Sequence, residues 1–418
     1  MVNRIDLGLL PGALAAAEDA SPVDAVEAVT RELGMALGAR TVSFLIADLS
    51  GRALVRLAHA PFGTEGERRH GDEVATVVPF DGTAQEQALR TQTVQVVPDA
   101  GGSMVLAPVT ERGEVIGLLE IVLPGEPPPG ALAEIARTAH ALAFMVIANR
   151  RHTDLFEWGQ RTAGFTLSAE IQRRLLPGSF TCEAGAFTLS GWLEPAARIG
   201  GDTFDYSLAR DVLHFSVTDA MGHGVASALT ASLCVGSLRN TRRRGAGLVE
   251  QAEAADAAVA EHAGVPGSYV TGILGRLDLR TGVCALVNAG HLPPLLVRDG
   301  RSRALTLPGN FPLGMFPGSE FRSDEVTLHP GDRLVIVTDG MCERHAAAVD
   351  LPVELASMTD LHPREAVRAL ADAVLAVAGP ALADDATLLI VDWYGEHGQP
   401  RRSIAGADPA RASQALPY

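Results

Sequence analysis

Residues 213–224 read LHFSVTDAMGHG, an alternation of apolar and polar side chains that closes on an aspartate and a glycine-rich turn. Leu213, Phe215 and Val217 fall on one face of a predicted strand, and His214, Ser216 and Thr218 on the other. By parity Asp219 shares the apolar face, and a carboxylate aimed at the edge of a core needs a compensating partner. Three further aspartates stand where a strand ends or begins: Asp202 in RIGGDTFD, Asp339 in LVIVTDGMCE and Asp384 in ADDATLLIV. Each alone reads as a turn residue, because Asp tolerates turn geometry and bonds its own backbone.

Taken together they raise a charge problem. Arginines are few in their sequence neighbourhood, Arg198 being the nearest to Asp202. Two carboxylates about 5 Å apart repel by about 3 kcal/mol at an effective dielectric near 20, so four converging without cations destabilise the rim they stand on. Divalent ions remove that penalty, and hard oxygen ligands without His or Cys partners favour magnesium or manganese over zinc or copper. Four independent turns are the alternative, and convergence in space decides between them.

Around this stretch the chain is patterned as a large α/β domain over residues 178–395, with many short strands and helices near 225–239, 248–262 and 363–377. Residues 24–148 form a second, smaller α/β domain with an antiparallel sheet: a helix at 23–37, strands at 41–47, through 57, at 94–97 and 104–109, and a hairpin strand at 115–122 turning at Glu111, Arg112 and Gly113. A charged loop covers 63–73. Residues 1–23 read as a loose or short helical leader, and 396–418, rich in Gly, Pro, Arg and Ser, as a disordered tail. Leu132, Ile135, Ala139, Leu142 and Val146 alternate three and four apart, so a linker helix over 149–177 continues either as a dimeric coiled coil or as an ordinary amphipathic linker, stopping at Pro177 and Gly178.

Composition narrows the chemistry. The chain has 418 residues and a formal charge of −16, which disfavours nucleic acid as a partner. It contains no lysine, so the P-loop, the kinase strand lysine and Schiff-base chemistry are all excluded. Cys182, Cys234, Cys284 and Cys342 form no CxxC pair and read as buried free thiols of a reducing compartment. With no apolar run of about 18 residues and an acid at Asp6, the expectation is a soluble, cytoplasmic protein away from membranes.

Two resemblances follow. The order of elements around LAPVTERGEVIGLLEIV, residues 106–122, resembles a GAF domain, which implies small-molecule sensing or plain dimerisation; no cysteine lies in the segment to anchor a bilin. The ordered set SAEIQRRLLP, ARIGGDTFD, VTDAMGHGVASAL, NAGHLPPLL, FPLGM, LHPGDRLVIVTDGMCE and DDATLLIV closely resembles the PPM-type metal-dependent serine/threonine phosphatases, and within them the SpoIIE and RsbU branch. That resemblance implies a four-layer α-β-β-α sandwich with a two-metal site, manganese or magnesium, at one edge of the sheets. It assigns Asp202 and Asp219 as metal-bridging acids, the backbone carbonyl of Ala220 as a further ligand, Asp339 and Asp384 as the remaining ligands, and Asp385 a supporting role. Thr203 departs from the aromatic or aliphatic residue that usually follows GGD.

His223 has two readings, a proton donor to the leaving oxygen or a helix-start residue orienting the Asp219 loop. Arg198 likewise contacts substrate phosphate or makes a surface salt bridge. His291 orders a turn beside the site, and the run from Arg239 to Arg244 complements a helix dipole or docks an acidic partner. The resemblance implies a phosphoprotein substrate, in this branch often a small STAS-domain anti-sigma-factor antagonist, a homodimer, and regulation by the GAF-like domain. Competing functions are a ligand-binding signalling scaffold without turnover and a hydrolase of small phosphorylated metabolites.

Overall fold

The computed structural model describes residues 8–49, 51–61, 76–80, 82–161, 164–194, 200–262, 267–342, 346–378, 384–399 and 409–412. The chain divides into two compact units, Met1–Gly164 with Arg401–Tyr418, and Phe165–Pro400.

In the first unit, α1 (Leu9–Asp19) and α2 (Ala25–Leu37) lead into β1 (Thr41–Ala47) and β2 (Ala53–Pro61). Then come β3 (Thr76–Pro79), α3 (Ala84–Thr91), β4 (Gln95–Asp99), β5 (Gly102–Glu111), β6 (Glu114–Leu123), α4 (Ala131–Asn149) and α5 (Leu155–Gly159). The strands make one antiparallel sheet in the order β3-β2-β1-β6-β5-β4. Alternation along β1 sends Val42, Phe44 and Ile46 to the face covered by α1, α2 and α4, and Leu45 and Ala47 to the face covered by α3.

Within the leader α1 is helical and buries Leu9 and Ala13 in the unit's core. Two expectations change here. The linker helix is not continuous, because the chain leaves helical form after α4, makes the short α5, and resumes only in the second unit. The coiled-coil seam is used internally, since Ile135, Ala139, Leu142 and Val146 are buried against the unit's own sheet. The same burial explains α4's composition: it is the one described helix long and apolar enough to cross a membrane, and its apolar side faces protein. The loop expected at 63–73 lies outside the described residues.

The second unit runs α6 (Leu167–Leu175), β7 (Thr181–Glu183), β8 (Phe187–Glu194), β9 (Asp202–Leu208), β10 (Val212–Ala220), α7 (Val225–Arg243), α8 (Leu248–His262), β11 (Val270–Asp278) and β12 (Val283–Ala289). It continues through β13 (Leu295–Arg298), β14 (Arg301–Ala304), β15 (Asp324–Thr327), β16 (Arg333–Val337), α9 (Leu351–Ser357), α10 (Pro363–Ala378) and β17 (Ala386–Trp393). Two antiparallel sheets result, β15-β12-β11-β10-β9 and β14-β13-β16-β17-β8-β7.

Their facing sides make the central core, with Phe204, Leu213, Phe215 and Val217 of one sheet meeting Leu189, Ile336, Leu389 and Val391 of the other. Outside it, α7 and α8 cover the first sheet through Ala231, Cys234, Leu238 and Val259, and α9 and α10 cover the second through Leu355, Leu370 and Val374. This is the four-layer α-β-β-α sandwich. The tail is ordered at its start, where the Gln399 N–H donates to the Gly185 carbonyl at 3.0 Å; residues 400–408 and 413–418 lie outside the described ones. None of the four cysteines is in a disulfide, but Cys342 is exposed rather than buried, because it sits on the turn after Asp339 instead of in a strand.

Candidate metal centre

The inter-sheet core turns polar at one edge. Strands β9 and β10 pair so that Asp202 lies directly opposite Asp219, on the face that carries Phe204 and Val217 into the core. Directly opposed side chains of an antiparallel pair have Cβ atoms about 5 Å apart. The same alternation on the facing sheet sends Leu334 and Ile336 of β16 inward, followed by Thr338, and Leu389 and Val391 of β17 inward, preceded by Thr387. Both threonine hydroxyls donate to Oδ2 of Asp202 at 2.7 Å, crossing from one sheet to the other.

Two glycines bring the remaining acids in. A Cβ at Gly340 would stand 1.9 Å from the Asp385 carbonyl, so the turn that starts at Asp339 packs backbone to backbone against the Asp384–Asp385 segment. At Gly201 a Cβ would meet the Ala220 carbonyl oxygen at 2.5 Å, and the Ala220 N–H donates to the Gly201 carbonyl at 3.2 Å. Asp385 is buried and accepts from Gln172 Nε2 at 2.7 Å and from the Gly201 N–H at 3.2 Å; the same Gln172 amide donates to the Asp202 carbonyl at 2.8 Å. Asp384 is exposed and caps its neighbour, accepting from the Asp385 N–H at 2.9 Å.

Electrostatics ties the five acids into one group. Burial, with Asp339 and Asp384 next in weight, raises the Asp219 carboxyl to about 7, although a hydrogen bond with Asp202 opposes the rise. Asp202 is raised well above the ordinary range by burial, then by Asp219 and Asp385, against the pull of the two threonines. Among the described residues the leading influences on both carboxyls are burial, other acids and hydrogen bonds, not arginines. Among the described residues no three acids, imidazoles or thiols form a compact preassembled shell, and the carboxylates are linked instead through their mutual electrostatic influence. The donors are hard carboxylate oxygens that raise one another's pKa, which fits divalent magnesium or manganese and does not fit four unrelated turns.

The other predicted residues separate. His223 is exposed on the turn between β10 and α7, beside Met221 and Gly222. Arg198 lies outside the described residues. Arg239 and Arg242 do not form a docking patch: Arg239 binds Asp205 through Nε at 3.2 Å and Nη2 at 2.9 Å, and Arg242 reaches the same carboxylate at 3.2 Å. Of that run's arginines only Arg243 and Arg244 are exposed. Thr203 has its own reason to be polar, since its hydroxyl pairs with that of Thr218 at 2.5 Å on the helix-covered face. Thr338, Thr387 and Gln172 were missed as site residues. Strand parity was the signal for the threonines, but no spacing pointed to Gln172.

Residues 209–394 match the family model for Stage II sporulation protein E (SpoIIE), entirely within the second unit. The chain is 24% identical over 163 residues to the phosphoserine phosphatase RsbP of Bacillus subtilis (strain 168), covering 38% of this chain and 40% of that protein. It is 26% identical over 205 residues to Protein IcfG of Synechocystis sp., covering 42% and 32% respectively. A solved structure of the RsbU and RsbW domains of Rv1364c from Mycobacterium tuberculosis aligns at 30% identity and a TM-score of 0.45, over 54% of this chain and 63% of that one. The chain thus spans less than half the length of the curated relatives it matches. The similarity to the SpoIIE family therefore lies in the second unit.

Proposed function

We propose that the chain is a metal-dependent protein phosphatase that hydrolyses phosphoserine or phosphothreonine on a regulatory partner. The observation that carries this reading is the in-register Asp202–Asp219 pair, whose carboxyls are raised by burial and by the neighbouring Asp339, Asp384 and Asp385. In this reading Asp202, Asp219, the Ala220 carbonyl, Asp339 and Asp384 would hold two divalent ions, manganese or magnesium. When bound, such ions supply Lewis acidity that lowers the pKa of water and offsets charge on phosphoryl oxygens.

The chain's own residues do the rest. Thr338 and Thr387 hold Asp202 in one rotamer through charge-assisted hydrogen bonds, leaving Oδ1 for the rim. Gln172 fixes Asp385 against the GGD turn, and Asp385 in turn holds the Gly201 N–H. His223, exposed at the mouth of the site, gives a proton to the departing serine or threonine oxygen. Arg198, four residues before Asp202, is the guanidinium nearest in sequence for the substrate's phosphate.

The name of the relative RsbP, a phosphoserine phosphatase, supports a phosphoprotein as substrate. We extend this to a STAS-domain partner on the resemblance to the RsbU branch. The first unit, with its helix-flanked antiparallel sheet, is read as the GAF-like regulatory domain. Leu132 and Phe144, exposed on the outer side of α4, are left for a second copy of the chain. Four cysteines outside any disulfide support a cytoplasmic location. The test is Mn2+-dependent hydrolysis of a phosphoserine protein and of p-nitrophenyl phosphate by wild type and Asp219→Ala. Turnover in the wild type that vanishes in the variant supports the reading; no metal-dependent turnover in either refutes it.

A further inference from the structure

Among the described residues His291 is the imidazole that spans the two sheets of the second unit. It follows β12 on the turn Asn288-Ala289-Gly290, which is locked from several directions. Asn288 Oδ1 accepts from the His291 N–H at 2.8 Å, and Asn288 Nδ2 donates to the His291 carbonyl at 3.0 Å. Gly290 has φ +66°, and a Cβ there would meet the Pro312 ring at 2.7 Å, so only glycine fits. The side chain is therefore aimed by its backbone.

Each ring nitrogen has one partner, and the partners belong to different sheets. Nδ1 lies 2.9 Å from Thr271 Oγ1 and Nε2 lies 3.1 Å from the Val337 carbonyl. A carbonyl only accepts, so Nε2 carries the hydrogen, and in a neutral ring Nδ1 then accepts from the Thr271 hydroxyl. Burial pushes the His291 pKa down to about 4, which keeps that neutral form in place. With both nitrogens engaged, the ring has no lone pair or proton left for a metal or a substrate.

Both partners adjoin the acids. Thr271 pairs in register with Asp219 across β10 and β11, and Val337 closes β16 two residues before Asp339. We infer that His291 is a positioning residue, a strut that sets the distance between the sheet bearing Asp219 and the sheet bearing Asp339, and so the geometry in which cations are taken up. This rests on the metal-centre reading above. The exposed apolar side chains near the rim, Met221, Leu292, Phe311 and Phe316, carry no comparable inference, because nothing on their surface identifies what would cover them.

The experiment is Mn2+ binding to the full chain, read by the electron paramagnetic resonance of free Mn2+, beside a thermal melt. His291→Ala removes both bonds, Thr271→Val removes one, and His291→Gln keeps an amide donor for Val337. Loss of an outer-shell partner typically weakens metal binding about 10- to 100-fold, so we expect a rise in Mn2+ Kd of about 10-fold for His291→Ala, a smaller rise for Thr271→Val, and partial rescue in His291→Gln. A lowered melting temperature with unchanged Kd in these variants makes His291 merely structural and overturns the inference. Should His291→Ala not fold, Thr271→Val and His291→Gln decide by the same criterion. A wild type that takes up no Mn2+ overturns the metal-centre reading and this inference with it, whereas equal uptake by wild type and variants overturns this inference alone.

Discussion

Replacing Asp219 by asparagine removes a charge while keeping the side chain's shape, and its effect on stability should change sign with metal. In the metal-free protein the Asp219 carboxyl stands at about 7 against an ordinary 3.8. A carboxyl whose pKa is higher in the folded than in the unfolded state binds more protons when folded, so its contribution is present below about pH 4 and is lost as pH rises toward 7. At ~1.36 kcal/mol per pK unit that loss is on the order of 4 kcal/mol. The asparagine amide does not titrate, so the Asp219→Asn variant escapes the loss. For a unit of this size each kcal/mol moves the melting temperature by about 2–4 °C, so near pH 8 in EDTA the Asp219→Asn protein should melt about 8–16 °C above wild type. At about pH 4 the two should coincide, because the wild-type carboxyl is then protonated in the folded state. With millimolar Mn2+ the order should reverse at neutral pH, because ligand binding stabilises only the protein that binds it. Differential scanning fluorimetry of the full chain across pH, with EDTA or Mn2+, reads all three arms. A variant less stable than wild type in EDTA at alkaline pH refutes the argument that mutual repulsion dominates this rim.

Removing the threonine hydroxyls tests the orientation of Asp202: Thr338→Val and Thr387→Val each delete a bond to a carboxylate worth about 1.5–3 kcal/mol, and the Mn2+ concentration for half-maximal activity should rise about 10-fold. Gly340→Ala places a methyl 1.9 Å from the Asp385 carbonyl, so circular dichroism melts should show a loss of about 3 kcal/mol or more, together with loss of turnover. Arg239→Ala leaves Asp205 buried with Arg242 as its remaining cation; about 3 kcal/mol of stability should go, measured by urea titration, while kcat in folded protein stays near wild type. His223→Ala should lower kcat about 100-fold with Mn2+ Kd unchanged, read by steady-state kinetics beside Mn2+ titration.

Legibility followed periodicity. The two-residue alternation through Leu213, Phe215 and Val217 put Asp219 on the inner face, and that face is the inter-sheet core. Helices bounded by strong signals came out close to their observed ends, residues 248–262 matching α8 and 363–377 matching α10 to within one residue. What escaped was set by tertiary context. The three-and-four spacing on α4 is equally that of a coiled-coil seam and of a helix lying on a sheet, and the sheet of the first unit takes it. Helix α3 was overlooked although Thr83 and Glu86 spell a capping box, with the threonine accepting from the Glu86 N–H and Glu86 reaching back to the Gly82 N–H. Gln172 carries no local signature: its value comes from two acceptors, one 30 and the other 213 residues away in the chain.

The acids are legible singly and their meaning only jointly, because strain of this kind is a property of the set. Backbone approach at Gly201 and Gly340 forces the acidic segments together, and the core behind them, anchored by Phe204 and Val217, gives them nowhere to withdraw. Phe204 stands two residues from Asp202 on the same face, so a one-residue slip of β9 would carry the phenyl ring out of the core along with the carboxylate. Hydrophobic register therefore enforces an electrostatically unfavourable arrangement, and the fold holds that cost until cations relieve it. It follows that a change which relaxes register without touching an acid, Phe204→Ala, should weaken Mn2+ binding as well as stability. A melt showing a loss of about 3–5 kcal/mol with Mn2+ Kd unaltered would separate the core from the site and remove the link argued here.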